Sequence, residues 1–319
     1  KILDNLYRDV PNLKVGKIGL EKSINQELLG IPGSATYEVD AYGKRVKQII
    51  KEDSTDGNTI TTTIDKNIQI FAYDQLKEYA GSIVVMDMFG NVLCSVSSPS
   101  YDPNKFTYGM SHKDYKTLSE DEKKPLINKV LTSTYPPAST FKMIVALSAL
   151  ENKVITKNFR HTCKGDVELY DQKYHCWKDR GHGRINLSSA IKESCDIYFY
   201  EVARLLGIDR LQKTAFRFGL GNYVFQNFFE EKKGLIPSTS WKKDTLGKSW
   251  YLGETMISGI GQGFLRTSNA QLCKMIVQFA NGGYEIKPTF LKANNPILEK
   301  KIIENDKHLE ILLTSLFDA

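Results

Sequence analysis

No run of about 18 apolar residues occurs in the chain, so no segment has the length and composition to cross a bilayer as a helix. A secretory leader is also missing. The chain opens at Lys1 in what reads as mid-sequence, which leaves room for an anchor upstream. Basic runs and aromatic-basic motifs are absent. The net charge of +6 therefore argues weakly for contact with an anionic surface and weakly against a dedicated nucleic-acid binder. There are no internal repeats and no low-complexity tracts, which sets aside solenoids and structureless linkers. Cysteine is scarce, and five residues do not settle the redox compartment. What is present is globular: 41% apolar and 25% charged over 319 residues, room for one large domain and a smaller one.

The most informative stretch is Tyr135-Pro136-Pro137-Ala138-Ser139-Thr140-Phe141-Lys142, running into Met143-Ile144-Val145-Ala146-Leu147-Ser148-Ala149-Leu150. Prolines suit the start of a helix, where a missing N–H costs nothing. After Lys142 nearly every residue is apolar, so the helix is expected to be enclosed by protein. Ser139 and Lys142 are three residues apart, which puts both on one helix face. A lysine buried there loses solvation, so its neutral form becomes accessible and can take the hydroxyl proton. The helix N-terminus favours negative charge on the serine oxygen. Taken alone, a capping serine and a snorkelling lysine explain the motif as well.

Residues 1–58 read as a separate small unit. Gly16–Gly30 has the apolar spacing of a short helix closed by Gly30, and Ala35–Val46 alternates like a hairpin turning near Tyr42-Gly43. Lys51–Asn58 is polar and breaker-rich, as in a linker. A second unit spans 59–319. Thr59–Asp65, rich in β-branched residues, reads as a strand. Asp65 caps a helix with Ile68, Phe71, Ala72, Leu76 and Tyr79 at apolar positions. Gly81–Asp87 and Val92–Ser97 form a hairpin across Phe89-Gly90-Asn91. Ser268-Asn269-Ala270-Gln271 is a capping box for a helix stopped at Gly282. Helices packed on an antiparallel sheet, an α+β class, fit this order.

Further on, Ser194 and Asp196 flank one residue, so a tight turn can aim both at one spot. A second hydroxyl could relay a proton between the lysine and a leaving amine, and the carboxylate could hold the lysine charged or neutral as required. An ordinary helix cap is the plain alternative.

With these residues in view, the chain resembles the class B penicillin-binding proteins of the elongation or rod-shape type. Ser-x-x-Lys with a second Ser-x-Asn-type motif is their signature. Pro99–Asn104, Pro125–Asn128, Gly181-His182-Gly183, Gly259–Gly263 with Thr267-Ser268, and Gly19-Leu20-Glu21 resemble further family landmarks. Asp196 stands where many relatives carry asparagine; the rod-shape branch often has the aspartate. The third motif, Lys-Thr-Gly or Lys-Ser-Gly, is absent. It is expected beyond Ala319, and without its oxyanion donors the 319 residues are expected to be inactive or nearly so.

The resemblance implies a penicillin-binding transpeptidase fold with an N-terminal pedestal or dimerisation-type domain. It implies a D,D-transpeptidase acting on peptidoglycan stem peptides through a serine acyl-enzyme trapped by β-lactams. Ser139 would be the nucleophile, Lys142 its base, and Ser194 and Asp196 their partners, with no cofactor for catalysis. Implied partners are a membrane-anchored rod-shape scaffold protein at the pedestal and a polytopic peptidoglycan glycosyltransferase, with no nucleic acid. The implied setting is the periplasm, with a single-pass inner-membrane anchor upstream. A β-lactam hydrolase or sensor on the same fold, and a catalytically incomplete scaffold, are the rivals.

Cys163, Cys176, His182 and Cys195 offer a complete tetrahedral zinc set, three thiolates and an imidazole. Such a zinc would be structural and would brace the second motif, with His175 as a substitute for one thiol. A Cys163–Cys176 disulfide and free thiols are the open alternatives. Cys94 and Cys273 read as core residues. His112, His161 and His308 have no evident partner, and the lysines of 242–248 read as solvated surface.

Overall fold

Every residue from Lys142 to Leu150 is buried in the computed structural model of the protein, and the rest of the larger domain is layered around this helix. The structure describes residues 10, 13–225, 228, 230–293, 298 and 300–317. The N-terminal unit contains α1 (Gly19–Ser23), α2 (Asn25–Leu28) and the hairpin β1 (Ser34–Val39) and β2 (Arg45–Glu52). The larger unit contains α3 (Lys66–Leu76), the hairpin β3 (Gly81–Met86) and β4 (Val92–Ser98), then α4 (Asn104–Tyr108) and α5 (His112–Glu120). A 3₁₀ turn (Ala138–Phe141) leads into α6 (Lys142–Glu151). Next come β5 (Arg160–Cys163), β6 (Asp166–Leu169), β7 (Gln172–His175) and β8 (Gly183–Asn186). They pair as β5 with β8 and β6 with β7, all antiparallel. The helices α7 (Leu187–Lys192), α8 (Asp196–Leu206), α9 (Ile208–Arg217), α10 (Thr239–Leu246), α11 (Leu252–Gly259), α12 (Asn269–Ala280) and α13 (Asp306–Phe317) complete the order.

The main core gathers Phe141, Ile144, Leu147, Tyr198, Phe199 and Leu211, all essentially without solvent contact, around α6 and α8. Burying an aliphatic or aromatic side chain of this kind contributes roughly 1.5–3 kcal/mol. A second cluster, including Val92, Phe225, Val277 and Phe290, joins the β3–β4 hairpin to α12. The hairpins are expressed as two-stranded sheets among the described residues, so the α+β class holds with the helices supplying most of the core.

Several local expectations change. The Gly16–Gly30 helix is two short helices broken at Ile24, whose φ of −118° and ψ of 23° leave the helical region. The expected linker starts later, because β2 continues to Glu52 and Thr55 bridges Ile31. Thr59–Asp65 is not a strand. Only Thr62 makes a bridge, to Leu291, and the Thr63 hydroxyl donates to the Val92 carbonyl, so side-chain and single backbone bonds replace a ladder. Asp65 does cap α3, accepting from Asn67 N and Ile68 N. Yet only Ala72 of that helix is buried, while Ile68, Phe71 and Tyr79 are exposed. A two-stranded hairpin is too narrow to cover a full helical stripe; Ala72 and Leu76 alone pack on Cys94 and Val96. Lys242 is buried, not solvated. Its ammonium donates to Glu254 and lies under the rings of Trp250 and Tyr251, whereas Lys243 and Lys248 are exposed.

Candidate active site

The backbone at the nucleophile is held in a conformation that side chains rarely adopt. Ala138 has φ of +50°, directly after Pro136-Pro137 and directly before Ser139. A non-glycine residue there costs roughly 1 kcal/mol or more and persists only when its surroundings dictate it. They do so here. Ala138 N donates to the Gly261 carbonyl at 2.9 Å, and Tyr135 and Thr267 exchange backbone bonds at 2.9 and 2.8 Å. The late glycine segment therefore clamps the nucleophile turn. Gly261 must lack a side chain, because a Cβ there would lie 2.1 Å from the Ala138 carbonyl oxygen, and its own φ is +74°. We expect Gly261→Ala to lower the rate of acylation by a β-lactam at least tenfold and to depress Tm by several degrees, read by stopped-flow acylation and thermal melts.

Ser139 itself is exposed, and the chain then dives into the core, with Phe141 and Lys142 buried one turn on. The second motif comes from the turn between α7 and α8. Ser194 N and Cys195 N close back on the carbonyls of Ile191 and Ala190, and Ser194 takes φ of +50°, as a residue just past a helix end does. Asp196 opens α8, where the helix dipole favours an acidic residue.

These turns bring four predicted side chains together. Lys142 Nζ donates to Asp196 Oδ1 at 2.7 Å, to Ser194 Oγ at 3.0 Å and to the Ser194 carbonyl at 2.8 Å. Ser194 Oγ in turn donates to Ser139 Oγ at 3.0 Å. The three donors of an ammonium are thus all engaged. No hydrogen bond joins Ser139 to Lys142 directly; the path between them runs through Ser194. This differs from the expected direct pair on one helix face. The reason is that Ser139 sits in the 3₁₀ turn, ahead of the α-helix that carries Lys142. A cavity of about 640 Å³ opens over Ser139, Ser194 and Asp196, bordered by Trp177 and Gln262. A larger one, of about 890 Å³, runs from the N-terminal unit to Tyr135 and does not include these hydroxyls.

Cys163, Cys176, His182 and Cys195 converge with their ligand atoms all within 4.8 Å of one another. A tetrahedral zinc ion, with bonds of about 2.3 Å to sulfur and about 2.0 Å to nitrogen, holds its ligands at separations of roughly that order. Cys176 Sγ lies 3.6 Å from His182 Nδ1, and His182 Nε2 is buried without a hydrogen bond, 3.7 Å from the Glu193 carboxylate. One ring nitrogen therefore faces the sulfurs and the other an acceptor, the pattern of a metal-bound imidazole. Burial pushes the His182 imidazole below its ordinary value, towards the neutral form a metal requires, and pushes the Cys195 thiol up, with Cys163 and Cys176 adding to the rise. No disulfide joins any of the five cysteines in this structure. His175 is not in the group; it is exposed, and its carbonyl accepts the Tyr200 hydroxyl. Cys94 and Cys273 pack in hydrophobic clusters.

Trp177 escaped the sequence reading. Its N–H donates to Asp196 Oδ2 at 3.0 Å, and its indole N–H donates to the Glu193 carbonyl at 3.0 Å. Its ring stands edge-on to His182 at 5.5 Å. Its position beside Cys176 was the one available signal. Through Trp177 and Cys195 the thiol cluster is bonded directly to the groups that hold Lys142.

The description "Penicillin binding protein transpeptidase domain" matches residues 81–311, and "Penicillin-binding Protein dimerisation domain" matches 3–62. The chain belongs to the penicillin-binding protein transpeptidase family. It is 38% identical over 280 residues to the peptidoglycan D,D-transpeptidase MrdA of Escherichia coli, a match covering 87% of this chain and 44% of the relative. The chain thus spans about half the length of the curated relatives it matches. Among solved structures, the complex of Helicobacter pylori PBP2 with MreC is similar with a TM-score of 0.89 and 32% identity, covering 99% of this chain and 60% of the other. Pseudomonas aeruginosa PBP2 in complex with WCK 5153 gives a TM-score of 0.83 and 36% identity, covering 95% and 66%.

Proposed function

We propose that this chain is the pedestal and much of the catalytic domain of a peptidoglycan D,D-transpeptidase of the elongation type. The observation that carries the reading is the continuous hydrogen-bonded line from Ser139 Oγ through Ser194 Oγ to Lys142 Nζ and Asp196. Ser139 Oγ attacks the penultimate D-alanine carbonyl of a stem peptide. Lys142 first releases one proton to solvent and turns as the neutral amine to accept from Ser194; the Ser139 proton then passes to Ser194 Oγ as the proton of Ser194 moves to Lys142 Nζ, restoring the ammonium. The tetrahedral oxyanion collapses, D-alanine leaves with a proton returned along the same line, and an amine of a neighbouring stem resolves the acyl-enzyme. The backbone N–H of Ser139 is one oxyanion donor. A β-lactam acylates the same oxygen. The test is mass spectrometry of the full-length protein after penicillin treatment: the adduct is expected on the tryptic peptide that contains Ser139, and an adduct elsewhere, or none, overturns the reading.

The thiol and imidazole group fits a structural zinc ion held by Cys163, Cys176, His182 and Cys195. The ion would supply a rigid cross-link and no Lewis-acid chemistry, since all four positions are filled by protein. The residues around it do the rest: Cys195 holds the peptide between Ser194 and Asp196, and Trp177 holds the Asp196 carboxylate.

The pedestal reading carries with it a membrane-anchored scaffold partner, supported by the similarity to the PBP2 that is described in complex with MreC. It also carries a polymerase partner and a periplasmic setting. No helix among the described residues is long and apolar enough to cross a membrane, so the anchor belongs to the rest of the full protein in this reading.

A further inference from the structure

Among the described residues four lysines are buried: Lys129, Lys142, Lys242 and Lys274. Three have an obvious partner for the ammonium. Lys129 donates to the Lys124 carbonyl, Lys142 to Asp196, and Lys242 to Glu254. Lys274, on α12, is only 9% exposed, yet neither a hydrogen bond nor an ion pair reaches it among the described residues. Its nearest carboxylates are engaged elsewhere. Glu231 accepts the backbone N–H groups of Val224 and Phe225, and Glu285 pairs with Lys300 at 2.9 Å. The Lys274 nitrogen is not among the fully enclosed polar atoms, so the ammonium keeps contact with the water of the space beside it, and anything that displaces that water must supply a counter-charge.

The space beside Lys274 is open. The residue lines a cavity of about 690 Å³ between the N-terminal unit and the larger domain. That volume lies within the range of small-molecule sites, roughly 300–1,000 Å³. The cavity's apolar surface comes from Leu20, Ile24, Phe225, Phe228, Phe290 and Leu291. The rings of Phe225, Phe228 and Phe290 form a closed trio with centroids 4.9–5.4 Å apart. Lys287, exposed, adds a second positive charge on the wall shared with Lys274. Glu27 is the one acidic lining residue and belongs to the N-terminal wall. Burial pushes the Lys274 ammonium below its ordinary value, and the charges of Glu285 and Glu231 oppose that shift.

We propose that this cavity binds a single-chain anionic amphiphile, with its carboxylate or phosphate head on Lys274 and its hydrocarbon chain against Phe225, Phe228 and Phe290. A cation inside one wall and a trio of aromatic rings beside it match a ligand with one charged end and an apolar body. A neutral ligand that fills the cavity strips the water from Lys274 without replacing it, and a wholly polar ligand leaves the partly exposed lining of Leu20, Phe228 and Leu291 wet. The head-group chemistry is shared by free fatty acids and by anionic phospholipids.

Isothermal titration of the full-length protein with decanoate, decyl phosphate and decanol tests the site. Both anions are expected to bind at least tenfold more tightly than decanol. In Lys274→Met, decanoate should fall to the affinity of decanol, with Ser139 acylation by penicillin unchanged. Lys274→Arg, which keeps the charge, should keep the preference even if the methionine variant folds poorly. Phosphatidylglycerol vesicles that displace decanoate, where phosphatidylcholine vesicles do not, would identify a membrane phospholipid as the source; failure to displace it would identify the free acid. Equal binding of decanoate and decanol, no binding of either anion, or an anion preference that survives in Lys274→Met overturns the proposal. None of those results touches the transpeptidase reading, which is read separately at Ser139.

Discussion

Ser139→Ala in the full-length protein is expected to abolish covalent capture of penicillin and to reduce cross-linking by a factor on the order of 10⁴–10⁶, the loss that follows removal of a serine nucleophile. Tm should stay within about 1 °C, because Ser139 is exposed and its one side-chain hydrogen bond among the described residues is the one received from Ser194. Ser194→Ala separates the two roles in the line. It leaves the nucleophile in place but removes the hydroxyl that lies 3.0 Å from both Ser139 Oγ and Lys142 Nζ. Acylation should then persist at a rate lower by roughly 10²–10⁴, the usual contribution of positioned proton transfer. Stopped-flow acylation with a chromogenic cephalosporin measures both variants. A Ser194→Ala enzyme that acylates at the full rate would show that Lys142 reaches Ser139 without the relay. A Ser139→Ala enzyme that still binds penicillin covalently would remove the nucleophile assignment altogether.

Loss of the cluster around Cys195 is expected to have the next largest effect. Protein prepared without chelator should contain about one zinc per chain by elemental analysis, and extraction of the metal should lower Tm by about 10 °C. The expectation follows from the position of the ligands. Cys163 ends β5, Cys176 follows β7, His182 precedes β8, and Cys195 caps α8, so one ion would pin the end of β7 and the head of α8 to the paired strands β5 and β8. Several kcal/mol of binding free energy lost from a domain of this size corresponds to a shift of that order, at about 2–4 °C per kcal/mol. Acylation should slow in parallel, by tenfold or more, because Cys195 separates Ser194 from Asp196 and the residue after Cys176 donates to the Asp196 carboxylate. Cys195→Ser should reproduce both effects. Metal-free protein with an unchanged melt and full acylation, or a Cys163–Cys176 disulfide revealed by thiol titration, would contradict the zinc reading.

The nucleophile segment was legible because its local chemistry is unusual. A hydroxyl and an amine at the head of an otherwise nearly apolar helix stand out without any knowledge of contacts, and α6 is buried from Lys142 to Leu150 as that pattern requires. The caps were legible for the same reason: Asp65 and Ser268 act on backbone groups two and three residues away. Where burial depended on a distant partner, the reading failed. Phe71 and Tyr79 carry a helical spacing that the narrow β3–β4 hairpin cannot cover, and Lys242 lies within a charged run yet is enclosed by Glu254, Trp250 and Tyr251.

The sequence by itself determined which residues could do chemistry: two hydroxyls, an amine, a carboxylate, and a separate set of three thiols and an imidazole. Only the tertiary structure decided how they are connected. It placed Ser194 between Ser139 and Lys142, and it set Trp177 as the link from the thiols to Asp196. It also left Lys274 unpaired beside a cavity. The physical reason is one of range. Capping and helical periodicity act within a few residues, whereas the hydrogen bonds that assemble this site join positions 19 to 55 residues apart in the chain.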